Sequence, residues 1–71
     1  MAGKVHIYTV VWELKALLSQ HKEDPAEMKT SFNKFMLDRF DAAPESEEYT
    51  NLVDLFRDKG GLKGYLDFME V

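Results

Sequence analysis

The sequence predicts an all-α protein, a compact bundle of about four short helices over residues 5–21, 25–42, 46–59 and 62–70, forming a single helical domain over 1–71. Three observations lead there. Apolar residues recur at three- and four-residue spacing in each segment between breakers. Helix-start signals, Asp24-Pro25 and Ser46-Glu47, open the second and third segments. Only one stretch reads as a strand, and a lone strand has no partner for its ladder groups.

That stretch is VHIYTVVW, residues 5–12, whose β-branched and aromatic residues favour an extended chain. Yet Ile7, Val10, Val11, Leu14, Leu17 and Leu18 share one helical face, so a helix is the preferred reading. In the second segment Asp24 is the expected N-cap, Pro25 suits the first helical position, and Glu27 completes a capping box. Met28, Phe32, Phe35, Met36 and Phe40 make its stripe, which should fade near Asp41 to Ala43 because Pro44 disfavours helical geometry in the residue before it.

Ser46 is expected to cap the third helix, with Glu47 and Glu48 in its positive first turn and Tyr49, Leu52, Val53 and Phe56 facing inward. Gly60 should supply a left-handed C-cap and Gly61 a sharp turn. Leu62, Tyr65, Leu66 and Met69 then share one face of a short fourth helix, so the apolar tail should close the core. Removing it should unfold or loosen the chain.

At 71 residues, a single core is near the lower limit for stability without staples. The apolar fraction of 45% and the nine aromatics argue against disorder. No apolar run approaches the roughly 20 residues of a membrane span, and no secretory signal is recognisable. With no cysteine, there is neither a disulfide framework nor a thiolate metal site. The expected location is cytoplasmic.

Residues 1–40 carry six Lys/Arg and five Asp/Glu, a balance of +1, whereas residues 41–71 carry three and eight, a balance of −5. The acidic half should repel phosphates and favour a basic surface, unless it is a solvated face that only maintains solubility. Lys22, Lys29, Lys34 and Arg39 lie on or beside the second helix but scatter around it, so nucleic-acid binding is disfavoured. It stays as an alternative, a helix-turn-helix-like or SAM-like domain using that helix.

No catalytic, cofactor-binding or metal site is expected. Ser19 and His21, two positions apart on a helix, point away from each other, and His21 reads as a cation at the end of the first helix. Glu45, Glu47 and Glu48 lack the alternating ligands and central glycine of a calcium loop. Gly60, Gly61 and Gly64 follow no strand and precede no GK[ST]. The chain is expected not to be an enzyme.

What remains is a surplus of apolar surface. At about 100° per residue, Val5, Tyr8 and Trp12 fall opposite the Ile7/Val11/Leu14/Leu18 stripe, and Leu37 and Leu55 lie off their own stripes. Either the first helix is the axis of the bundle or its second face meets another molecule. Trp and Tyr combine large apolar area with a polar tip, as interface anchors do.

IYTVVWELKALL, KEDPAEMKTSFNKFM and LVDLFRDKGGLKGYLDFM together resemble the phage AsiA-type anti-sigma proteins. These small helical proteins bind the C-terminal region of the primary RNA polymerase sigma factor, largely through their first helix. The resemblance implies contacts at Tyr8, Val11, Trp12 and Lys15; this chain is shorter and lacks a middle segment of that family. DRFDAAPESEEY with the helix after it resembles the YozE-like family, whose fold is SAM-like and which implies no settled activity.

The expected function is therefore a non-enzymatic protein-binding module that occupies a surface of a larger protein, in the manner of a regulator or inhibitor of transcription. Its expected partner-binding residues are Val5, Tyr8, Val11, Trp12 and Lys15. A homodimer that buries the surplus apolar surface is the remaining alternative.

Overall fold

The four apolar stripes define four helices in the computed structural model, which describes residues 7–71, with side chains from Tyr8 onward. They are α1 (Ile7–Gln20), α2 (Pro25–Phe40), α3 (Glu47–Asp58) and α4 (Lys63–Phe68). VHIYTVVW is helical from Ile7 onward. Val5, the expected helix start at residue 5 and the side chain of Ile7 lie outside the described residues.

The turns are set by local chemistry. His21 N–H reaches Leu18 O at 3.1 Å and Asp24 N–H reaches His21 O at 2.9 Å, folding the chain from α1 into α2. Asp24 caps α2 by accepting from Glu27 N–H at 3.3 Å. The capping box is one-sided, because Asp24 N–H is already bonded to His21. At the far end Asp41 takes a left-handed conformation, φ 55°, and Asp41 N–H bonds Leu37 O at 2.9 Å. Aspartate tolerates this region better than most residues, so α2 ends at Phe40, ahead of Pro44. Ala42, which the helical stripes do not mark, follows directly and is fully buried.

Ser46 caps α3 by accepting from Tyr49 N–H at 3.2 Å. The left-handed C-cap expected at Gly60 is not there, and α3 is capped by Lys59 in a right-handed conformation. Gly61, not Gly60, holds the positive φ of 73°. Gly60 is a site of close approach, where a Cβ would stand 2.8 Å from both Phe56 O and Val11 Cγ2.

The main helix contacts pair α1 with α2 and α3 with α4. Between them lie Leu14 and Leu18, Met28, Phe32 and Met36, Val53 and Phe56, then Leu62 and Leu66. The Phe32 and Tyr49 rings meet edge-on at 5.9 Å, and Phe40 tilts against Phe56 at 6.2 Å. Among the described residues no polar or charged residue is buried. The radius of gyration, 11.4 Å, matches the roughly 11 Å expected of a folded domain this long.

The tail is the closing wall of this core. Leu62, Leu66 and Met69 are buried, with Tyr65 and Val71 packed at the edge. Arg57 of α3 ties it down, pairing with Asp67 at 3.3 Å and donating to the Val71 carbonyl. Among the described residues, no helix is long and apolar enough to cross a membrane.

Candidate interaction surface

Once its core stripe is buried, α1 still presents its two largest side chains to solvent. Val10, Val11, Leu14 and Leu18 point inward, whereas Tyr8 is 78% exposed and Trp12 75%. The helix is therefore not a central axis wrapped on all sides. Leu37, Leu55 and Phe68 are also exposed, Phe68 by 54%.

The expected partner-binding residues divide accordingly. Tyr8, Trp12 and Lys15 lie on the outer face, since Tyr8 and Trp12 are four apart and Lys15 follows three later. Val11 belongs to the core at 7% exposure, packed against Gly60, and this removes it from the accessible set. Its spacing already sets it on the inner stripe with Leu14 and Leu18, only the family resemblance implied a contact there, and the Gly60 corner covers it.

Charge around this face is partly spoken for. Glu13, next to Trp12, pairs with Arg39 of α2. The Arg39 guanidinium also sits over the Phe35 ring, 5.3 Å from its centroid. Arg39 is thus engaged within the fold, which subtracts a cation from the α2 surface that a nucleic-acid reading needs. Lys15 makes no ion pair among the described residues.

Ser19 continues the outer face of α1, seven positions after Trp12, and its hydroxyl is hydrogen-bonded to the Tyr65 hydroxyl of α4 at 3.1 Å. Its partner is therefore Tyr65 and not His21. Tyr65 in turn lines an open groove of about 460 Å³, with the exposed Phe68 as its apolar wall and the buried Met28 behind it, Gly61 ahead of α4 and Gly64 within it, and Lys22 and Glu23 as its charged members. The α1 face and the groove thus adjoin through the Ser19–Tyr65 bond.

Sequence reading missed this groove, because it forms only when the tail folds back beside the α1–α2 corner. The available signal was Phe68, which falls off the Leu62/Tyr65/Leu66/Met69 stripe of its helix. Among the described residues, no three His, Asp or Glu side chains converge as metal ligands would. No protein-family model, curated protein or solved structure matches the chain.

Proposed function

We propose that this chain is a non-enzymatic binding module that occupies a surface of a larger protein through the outer face of α1, with Tyr8 and Trp12 as anchors and Lys15 at their edge. The observation that carries this reading is the exposure of Trp12 and Tyr8 on a helix whose opposite side already fills the core. A monomer gains nothing in stability from exposed rings of this size, whereas an interface gains large contact area from them. The resemblance to AsiA-type proteins supports the same helix and adds a role as a regulator or inhibitor of transcription, with a sigma factor as partner.

The test is capture of partners from a cell lysate by the immobilised wild-type chain and by Trp12→Ala. A protein retained by the first and lost from the second, with the variant's helical signal intact, fits the reading. Equal retention by both removes the α1 face from the interaction. Retention on DNA at low salt, where phosphate contacts are strongest, would favour the nucleic-acid alternative instead.

A further inference from the structure

The chain leaves three of its four helices through a residue with positive φ, Asp41 after α2, Gly61 after α3 and Glu70 after α4. Each turns the next residue toward the core, where Ala42 and Leu62 are buried and Val71 packs at the edge. After α4 the turn is complete: Glu70 N–H bonds Asp67 O and Val71 N–H bonds Leu66 O, each at 3.0 Å. This is the pair of bonds by which a glycine commonly closes a helix.

The residue at the turn decides how firmly each end holds. Gly61 has no Cβ to crowd, and aspartate tolerates the left-handed region. Glu70, at φ 59°, has neither advantage, because its Cβ crowds the carbonyl that follows. Its side chain is exposed and makes no ion pair among the described residues, so no salt bridge of its own offsets the strain.

What holds the turn from outside is Arg57 of α3, which donates to the Val71 carbonyl and faces the Asp67 carboxylate at 3.3 Å. The second of these contacts is loose. Arg57 Nε is shut off from water yet makes no hydrogen bond, and the half-exposed Asp67 is shared with Lys63 at 3.2 Å. Ion pairs this open to solvent are weak, and salt weakens them further.

We infer that residues 67–71 form a clasp, closed over the core by Arg57, strained at Glu70 and released by ionic strength while the rest of the fold stays shut. Opening lifts Met69 and Val71 off the core and enlarges the apolar surface that Phe68 already presents. The clasp is independent of the α1 face.

Amide hydrogen exchange of the full chain, followed residue by residue and corrected for intrinsic rates, tests it. Leu14 and Phe32 report global opening, since both are fully buried in the core helices. Glu70 and Val71 should exchange at least about tenfold faster than these, as local opening allows. Glu70→Gly should slow exchange at residues 70 and 71 about fivefold by relieving the left-handed strain. Arg57→Gln should speed it about fivefold, and Asp67→Asn or about 0.5 M sodium chloride about twofold. Leu14 and Phe32 should keep their protection throughout.

The inference is overturned if residues 70 and 71 exchange only together with Leu14 and Phe32, or if Glu70→Gly leaves their protection unchanged. Indifference to both Asp67→Asn and salt would remove Arg57 as the closing group and overturn it as well. If Arg57→Gln lowers protection at all four sites alike, Arg57 supports the whole fold and not a clasp, which also contradicts the inference.

Discussion

Gly60 and Val11 meet so closely that a side chain on the glycine would need the space the valine occupies, at 2.8 Å from Cγ2. This contact brings the corner before α4 against α1 and pulls Val11 out of solvent. The three glycines of this region are consequently unlike one another. Gly60→Ala should destabilise by about 1–3 kcal/mol through overpacking. Gly61→Ala, at φ 73°, should cost about 1–2 kcal/mol in backbone strain. Gly64→Ala should be neutral or stabilising by up to about 1 kcal/mol. Urea unfolding of the three variants measures all of these.

Tyr49 is buried, and its hydroxyl donates to Asn33 Oδ1 at 2.5 Å. Burial raises its pKa above the usual tyrosine value near 10. The folded state therefore keeps the proton after the unfolded chain has begun to lose it. The stability due to the neutral hydroxyl is fully present below pH 10 and falls as pH rises from there through the folded value. Tyr49→Phe should lose about 0.5–1.5 kcal/mol at neutral pH and show a smaller decline above pH 10. Denaturant melts between pH 7 and 11 read the sign directly.

Deleting the chain from Leu62 onward would uncover the core face of α3 and strip Leu62, Leu66 and Met69 from it. A domain of 71 residues has only about 4–11 kcal/mol of stability to lose, while each buried aliphatic side chain contributes about 1.5–3 kcal/mol. The truncated chain should lose its cooperative thermal transition by circular dichroism.

Phe32 and Trp12 separate the two kinds of aromatic. Phe32 is fully buried and abuts Tyr49, so Phe32→Ala should cost about 3–5 kcal/mol and leave much of the population unfolded at 37 °C. Trp12→Ala should change stability by less than about 0.5 kcal/mol, as at ordinary surface sites. Parallel chemical melts distinguish them.

Much of the architecture was legible because helix periodicity and start signals agreed. Asp24, Pro25 and Ser46 marked starts that the hydrogen bonds reproduce, and the inward residues of α1 and α3 follow their spacing. Close approach was not legible. Spacing set Val11 on the inward stripe, but it could not show that Gly60 would be the residue pressed against it, or that the left-handed residue would be Gly61. The outer α1 face was legible from Tyr8 and Trp12, whose angle on the helix needs no tertiary knowledge. The groove was not, because it depends on how Tyr65 and Phe68 fall beside the α1–α2 corner.

The account stands on Trp12 being open in the free chain and available to a partner. Collisional quenching of its fluorescence by acrylamide, in dilute folded protein, measures this without a second tryptophan to confuse the signal. The expected result is quenching close to that of a free indole in water. Strong protection of Trp12 in a chain that sediments as a monomer would mean that the ring is covered by its own fold, and would contradict the account.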